Sequence, residues 1–186
     1  MDKKKIEKAI KDILVAIRED PSREGLIETP ARVANMYEEI YGGIKKNPAE
    51  ELKIFSEEEH DEIVLLKDIP LYSVCEHHMV PFHGKACIGY IPNGKIVGLS
   101  KLARLVEVYS KRLQLQERLT SQVADSLMNI MKPLGVMVII DAEHLCMSMR
   151  GIKKPSHSTI TSAVRGCFKD DKEVKNEFLS LVKYKG

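Results

Sequence analysis

The order in which hydrophobic periodicity changes between residues 63 and 168 limits the fold more than any other feature of this sequence. Residues 63–74 and 85–91 are rich in aliphatic and β-branched side chains, so both are predicted to be strands. Two amphipathic helices follow, with the apolar positions Leu102, Leu105, Val106 and Tyr109, then Leu119, Val123, Leu127, Ile130 and Met131. Residues 136–140 and 158–168 predict two more strands. Because the strands of each pair follow one another without a long crossover, we expect antiparallel hairpins and an α+β fold.

Further helices are predicted on both sides of this region. Residues 3–19 carry an apolar stripe of helical period, and residues 170–182 predict a final helix. Thr29 is expected to be the N-cap of another helix, with Pro30 at its first position.

The charge distribution divides the chain. Residues 1–62 hold 11 Lys/Arg and 16 Asp/Glu, whereas residues 63–186 hold 18 and 11. Acidic side chains crowd residues 50–62, as is typical of a surface linker. We therefore expect an N-terminal helical arm over residues 1–61 and a main domain over residues 62–186.

The overall charge and hydropathy exclude some classes of protein. The net charge of +2 argues against nucleic acid as the main partner, although the basic larger half suits an anionic small molecule or is simply a solvated basic face. No stretch approaches the ~18–20 apolar residues of a membrane span. The N-terminus lacks the apolar run of a secretory signal, so we expect a cytoplasmic protein without disulfides and no membrane partner.

Two short Cys/His motifs predict a metal site. Cys75 and His78 lie three apart in Cys-Glu-His-His, and Cys146 follows in His-Leu-Cys, where a continuing strand would put His144 and Cys146 on one face. Three ligands leave the fourth tetrahedral position to water, as in catalytic zinc sites, and His77 and His144 are then free for acid–base work. The alternative is a structural site with His77 as the fourth ligand.

The other cysteines and histidines suit ordinary roles. A cysteine without such neighbours is most often a small buried hydrophobe, and a single histidine is usually exposed or hydrogen-bonded. This interpretation applies to Cys87, Cys167, His60, His83 and His157.

The segment Gly98–Arg104 has the features of an anion site at a helix start. Ser100 is a plausible N-cap, and Lys101 and Arg104 share a helix face. Free backbone N–H groups and two cations there favour phosphate, and Arg150 is a further candidate. The plain alternative is a capped helix with a solvated basic face. Glu117, near the start of the next helix, is either a partner of the helix dipole or an acceptor for the edge of guanine.

Four motifs, in this order, resemble those of the GTP cyclohydrolase I family, the zinc-dependent first enzymes of pterin and folate synthesis. They are SVCEHHMVPFHG, IVGLSKLARLVE, QLQERLT and DAEHLCMSMRG, and the resemblance runs from EGLIETPARVANMY to HSTITSAVRGCF. It implies the tunnelling fold, a four-stranded antiparallel sheet with two helices inserted between strands 2 and 3. It also implies a homodecamer of two pentamers, with active sites between subunits and edge strands paired across chains.

The resemblance further implies a reaction. Zinc-activated water attacks C8 of GTP, opens the imidazole ring, releases formate and gives 7,8-dihydroneopterin triphosphate for tetrahydrofolate and pterin synthesis. Such an enzyme is a hydrolase acting on a cyclic amidine C–N bond.

Matching the motifs residue by residue assigns roles to this chain. One Zn²⁺ per subunit is held by Cys75, His78 and Cys146. His77 and His144 are the acid/base histidines, and Ser100 assists at the phosphates or in a later ribose rearrangement. The groups expected to bind substrate are Glu117 with Gln116 for guanine, and Lys101, Arg104, Arg150 and Arg32 for the triphosphate.

The chain departs from the family pattern at two positions. Asn35 stands where many members carry a lysine, so we leave it out of the phosphate contacts. Leu113 replaces a common proline between the two central helices, so we expect a looser elbow there.

Two other functions remain open from the sequence. The first is another enzyme of the same fold, such as a pterin synthase or a nitrile reductase; such enzymes share the sheet but not this cysteine pair. The second is a non-catalytic, zinc-stabilised nucleotide-binding module, which would have no need of two further histidines beside a metal with an open coordination position.

Overall fold

The helices and strands follow the order that the periodicity predicts. The structure is a computed structural model that describes residues 1–56 and 60–184. Its helices are α1 (Lys3–Ala16), α2 (Thr29–Ile40), α3 (Pro48–Glu51), α4 (Leu99–Ser110), α5 (Gln116–Met131), α6 (Leu145–Ser148), α7 (Cys167–Asp170) and α8 (Lys172–Lys183). Its strands are β1 (Ile54–Phe55), β2 (Val64–Cys75), β3 (Pro81–Ile91), β4 (Ile96–Val97), β5 (Leu113–Gln114), β6 (Gly135–His144) and β7 (Thr159–Gly166).

Strands β2, β3, β6 and β7 form an antiparallel sheet in that order. Helices α4 and α5 lie between β3 and β6 in the chain, that is, between the second and third long strands. The expected α+β class and tunnelling fold are therefore confirmed. The short β5 adds to the edge of β2 in parallel, so that Leu113 pairs with Val74.

The main core lies between this sheet and the two inserted helices. The stripe of α4 buries Leu102 and Leu105, and that of α5 buries Leu119, Val123 and Leu127. Each fully buried aliphatic side chain contributes about 1.5–3 kcal/mol through removal of its apolar surface from water. The α5 stripe ends where Pro133 cannot continue a helix.

The continuous apolar run of β6 reflects burial on both of its faces. Val136 and Val138 face the main core, whereas Met137 belongs to a second cluster with Phe168 and Phe178 from α7 and α8. An alternating pattern is expected only when one face of a strand meets water.

Several element ends differ from the sequence-based expectation. Helix α2 has Glu28 at its N-cap, and α4 has Gly98 there, so neither Thr29 nor Ser100 is a cap. Strand β3 begins at Pro81 rather than at residue 85 because Gly84 lies inside the strand. A Cβ at Gly84 would meet the Asp141 carbonyl oxygen at 2.0 Å, so glycine permits the close approach of β6.

The chain divides into two compact units at Gly42 and Gly43. In the first, α1 packs on α2, and Asn35 accepts a hydrogen bond of 3.0 Å from Lys3 Nζ. Residues 43–56, which the sequence places in the arm, belong to the second unit, where the Gly43 N–H donates to Lys111 O at 3.0 Å. Residues 57–59 of the expected acidic linker lie outside the described residues. Within the described part of the chain, no helix combines the length and apolarity needed to cross a membrane.

Gly89 of β3 offers a test of how α8 packs on the sheet. A Cβ at Gly89 would lie 2.4 Å from the ring of Phe178, which is fully buried. We expect Gly89→Ala to lower the free energy of unfolding by about 1–3 kcal/mol through overpacking. Denaturant unfolding measures this at fixed protein concentration.

Gly42→Ala is the matched control, because a Cβ there meets no heavy atom within 4 Å. An unchanged unfolding midpoint in Gly89→Ala would contradict the packing of Phe178 over β3.

Candidate metal centre and active site

One sulfur donor and one nitrogen donor lie at the turn between β2 and β3. Cys75 ends β2, and its N–H donates to Val80 O at 3.0 Å while Met79 N–H donates to Cys75 O at 2.8 Å. Met79 adopts a left-handed backbone conformation, with φ 53°, which tightens the turn. Cys75 and His78 therefore lie on one small, hydrogen-bonded loop.

The second sulfur donor comes from the far side of β3. Strand β6 ends at His144, and the chain turns at once into the one-turn helix α6, which carries Cys146. The strand therefore does not continue through Cys146. Ser148 Oγ donates to His144 O at 3.1 Å and Met149 N–H to Leu145 O at 3.0 Å, bonds that favour a helical turn.

The two halves meet in a three-donor cluster. One ligand atom from each of Cys75, His78 and Cys146 lies within 4.8 Å of the others. Ligand atoms around a tetrahedral zinc ion lie about 3.3–3.8 Å apart, so the cluster has nearly the required size. Two sulfurs and one imidazole also form a donor set that zinc prefers. The residues present therefore fit a zinc ion.

The protonation of Cys146 is consistent with a place for a cation. Burial, and then the neighbouring Cys75, raise the pKa of the Cys146 thiol above its ordinary value. Without a cation the thiol is favoured over the thiolate. A divalent ion reverses this preference, because metal binding requires and stabilises the deprotonated ligand.

His77 does not join the cluster. Among the described residues, the group of side chains that could hold a metal at this site has three members, and the His77 ring centroid lies 6.3 Å from that of His78, edge to face. Arg150 Nη1 lies 3.1 Å from His78 Nε2. A guanidinium only donates, so this nitrogen accepts, and metal binding at Nε2 would require Arg150 to move.

His144 lies at the end of β6 in a strongly constrained position. Its ring stacks on Phe82 with centroids 4.6 Å apart and planes 9° apart, and its Nε2 lies 2.8 Å from Gln116 Oε1. Its backbone N–H donates to His157 Nε2 at 3.4 Å, so His157 is hydrogen-bonded as expected. Burial, followed by the nearby His157, lowers the pKa of His144 below its ordinary value, while Glu117 opposes the shift. His144 therefore favours its neutral form.

Helix α5 is tied to the metal-binding turn by an ion pair. Arg118 donates to both carboxylate oxygens of Glu76, at 2.6 and 3.0 Å. These bonds lower the pKa of the Glu76 carboxyl below its ordinary value. Because Arg118 follows Glu117 directly, the pair holds the first turn of α5, which carries Glu117, at the turn that carries Cys75 and His78.

The residues expected to bind phosphate lie elsewhere in the same chain. Ser100, Lys101 and Arg104 are on the first turns of α4, about 9–15 Å along the helix axis from Ser110 at its other end. Ser110 O accepts from Ser73 Oγ at 2.7 Å, near Cys75.

The start of α4 can also be located on the sheet. Val97 N–H, just before α4, donates to the Tyr90 hydroxyl at 3.2 Å, and Tyr90 pairs with Val64 at the far end of β2. The three-donor cluster and the residues expected to bind phosphate are therefore at opposite ends of one sheet.

Arg32 lies in the other compact unit. It is on α2, where its guanidinium pairs with Glu28 one turn earlier. Arg104 is 3.8 Å from a Glu51 oxygen, so it also has a carboxylate neighbour.

Sequence reasoning did not single out Phe82, Arg118 or Glu76, although all three lie in the quoted motifs. Phe82 is fully buried directly opposite His144 in the β3–β6 ladder. Phe82 precedes the strand predicted from residue 85, and an aromatic residue beside a histidine motif is a weak signal. The bond between Glu76 and Arg118 spans 42 residues and has no local signature.

Comparison with known proteins decides the family. The family model described as GTP cyclohydrolase I matches residues 6–183. The chain belongs to the GTP cyclohydrolase I family. It is 59% identical over 186 residues to "GTP cyclohydrolase 1" of Thermoanaerobacter pseudethanolicus, which covers 100% of this chain and 99% of the relative. It is 60% identical over 184 residues to the protein of the same name from Pelotomaculum thermopropionicum, with 98% and 97% covered.

As a member of the GTP cyclohydrolase I family over its whole length, the chain is a hydrolase. The resemblance drawn from the motifs is confirmed. Among solved structures, an apo archaeosine synthase QueF-Like is 19% identical with TM-score 0.49, covering 58% of this chain and 97% of its own. That similarity is too weak to add to the assignment.

The three-donor cluster predicts which cysteines control metal content. We expect Cys146→Ser to lose bound zinc, because a hydroxyl is a poor zinc ligand. Cys87→Ser, which alters a cysteine of β3 outside the cluster, is the matched control and should keep it. Elemental analysis of the purified variants measures zinc per subunit, and full zinc content in Cys146→Ser would exclude Cys146 as a ligand.

Proposed function

We propose that this chain converts GTP to 7,8-dihydroneopterin triphosphate and formate at a zinc centre held by Cys75, His78 and Cys146. The observation that carries the proposal is the convergence of these three donors beside two imidazoles that are not in the cluster. When bound, zinc lowers the pKa of coordinated water toward about 7, which makes a nucleophile available at neutral pH. The residues around it then bind, orient and exchange protons with the purine.

His77 and His144 are the proposed acid/base pair. His77 is exposed and next to the ligand His78, so substrate can reach it. The lowered pKa of His144 favours the neutral ring, the form that accepts a proton. Two groups are useful because ring opening both removes a proton from water and delivers one to a purine nitrogen.

Glu117 is the proposed acceptor for the guanine edge. Its carboxylate is exposed at the first turn of α5, and the Arg118–Glu76 pair keeps that turn next to the metal-binding loop. The side-chain atoms of Gln116 all have protein partners, so the guanine contact is assigned to Glu117, and Gln116 receives a different role below.

The triphosphate is proposed to bind Lys101, Arg104, Arg150 and Arg32, with Ser100 assisting there or in the ribose rearrangement. Lys101 and Arg104 lie at the opposite end of the sheet from the metal cluster of their own chain. We therefore propose that Lys101 and Arg104 of a neighbouring subunit complete each site and bind the triphosphate there.

The sheet edges support an oligomer. In the described part of the chain, β7 pairs with β6 alone, and β5 covers just two residues on the outer edge of β2. An open edge strand of this length is a template for pairing with another chain. We propose the homodecamer of two pentamers that the family resemblance implies.

Two further expectations remain proposals. We assign catalysis to residues 62–186 and an accessory role to the helical arm. We also propose a cytoplasmic location, since thiol ligands need a reducing compartment and the four cysteines are free.

The proposed activity has a direct test. Zinc-loaded protein incubated with GTP should release formate and develop the near-ultraviolet absorbance of a reduced pterin. Chelation should abolish both signals, and added zinc should restore them. If the protein bound GTP but formed neither product, it would be a nucleotide-binding module rather than an enzyme.

A variant of His77 separates catalysis from metal binding in the same assay. His77→Ala should keep its zinc and lose turnover by about 10²–10⁴-fold, as removal of a general acid or base does. His60→Ala, another exposed histidine, is the control and should behave like the unmodified enzyme. Loss of zinc from His77→Ala would make His77 a structural ligand.

Glu117→Gln tests guanine recognition. We expect GTP affinity to fall by about 10–100-fold, because charge-assisted hydrogen bonds contribute about 1.5–3 kcal/mol, while zinc content stays unchanged. Glu173→Gln changes a first-turn glutamate of α8 and controls for the helix dipole. Equal GTP binding by Glu117→Gln and the unmodified enzyme would remove the assigned role.

A further inference from the structure

Gln116 is almost completely buried, with 1% of its surface exposed, and its side-chain amide has a single reasonable orientation. Its Nε2 lies 3.0 Å from Ile140 O and 2.8 Å from Thr159 O, and 3.1 Å from Thr161 Oγ1. Carbonyl oxygens only accept, so the atom facing them must be the NH₂ group. The reversed amide would set its oxygen against two carbonyl oxygens.

This orientation determines the tautomer of His144. The remaining amide atom, Gln116 Oε1, lies 2.8 Å from His144 Nε2 and can only accept a hydrogen bond. His144 Nε2 must therefore carry a hydrogen. The parallel stack on the fully buried Phe82 holds the ring in the plane that this bond requires.

We propose that Gln116 is a positioning residue that keeps the hydrogen on His144 Nε2, so that Nδ1 is the ring nitrogen left with a free lone pair. This inference rests on the acid/base role of His144 proposed above. In the neutral ring Nδ1 carries the lone pair. Nδ1 is then the ring atom that can accept a hydrogen bond, while Nε2 keeps its hydrogen on Gln116 Oε1.

The surrounding contacts make Gln116 a rigid support. Its backbone carbonyl accepts from Thr120 Oγ1 at 2.7 Å, and Thr120 Oγ1 in turn lies 2.6 Å from Thr161 Oγ1. The side chain thus joins the first turn of α5 to β6 and β7. Contact with guanine would break buried bonds to these strands, whereas support of His144 uses all of them.

The tautomer can be measured directly. Zinc-loaded enzyme with ¹⁵N-labelled histidine is recorded by NMR above the titration range of His144, and the ring signals are assigned by their loss in His144→Asn. We expect a protonated Nε2 and an unprotonated Nδ1. The opposite tautomer would overturn the proposal, and no Gln116 variant needs to fold for this result.

Gln116→Met keeps the approximate length of the side chain and removes both kinds of hydrogen bond. We expect kcat to fall about 10–100-fold, with KM for GTP little changed, full zinc content and a mixture of His144 tautomers. A rise in KM at unchanged kcat would indicate guanine binding instead and would overturn the proposal.

Thr161→Val is the matched control. It removes one partner of Gln116 Nε2 but leaves both carbonyl acceptors and the bond to His144. We expect an unchanged kcat and a single tautomer. If Thr161→Val lost as much kcat as Gln116→Met, the role of Gln116 would be structural.

The two levels of the proposal fail separately. Full turnover in His144→Asn would remove the acid/base role from His144 without affecting the measured tautomer. Loss of turnover in His144→Asn, together with an unperturbed tautomer and kcat in Gln116→Met, would remove the positioning role alone.

Discussion

Main-chain pairing of β3 with both of its neighbours determines the geometry of the active end of the sheet. One ladder sets Val74 opposite Pro81, and the other sets Phe82 opposite His144. Cys75 and His144 therefore reach the same edge from strands that do not touch each other. Because side chains alternate between faces, a slip of one residue in either ladder would turn a functional side chain to the other face and separate the donors.

The donors are brought together against their own electrostatic preference. A partly buried thiol beside a second thiol resists ionisation, as the raised pKa of Cys146 shows. The backbone bonds of the β2–β3 turn and the Arg118–Glu76 pair hold the groups in place regardless. A cation that binds such a site favours the folded arrangement by mass action, so metal binding and local stability are linked.

Periodicity was sufficient to predict the types and order of the long elements, since apolar stripes of 3.6 or 2 residues report directly on burial. The short spacing of Cys and His in two motifs predicted a metal site, and the structure brings Cys75, His78 and Cys146 together; that they bind a metal stays a prediction. The turn to helix at Cys146 and the place of Gly84 inside β3 depend on the partner strand, which local sequence does not reveal. The environment of Gln116 was equally hidden, because its side-chain partners lie between 24 and 45 residues away.

The placement of α4 has a consequence for how activity depends on assembly. One end of this helix begins at the far end of the sheet with Lys101 and Arg104, and the other meets β2 near Cys75. In the proposed arrangement a lone subunit carries two unlike half-sites and no whole one. Dissociation would then abolish activity while every chain stayed folded. A subunit with a damaged metal centre could still supply Lys101 and Arg104 to the site of its neighbour.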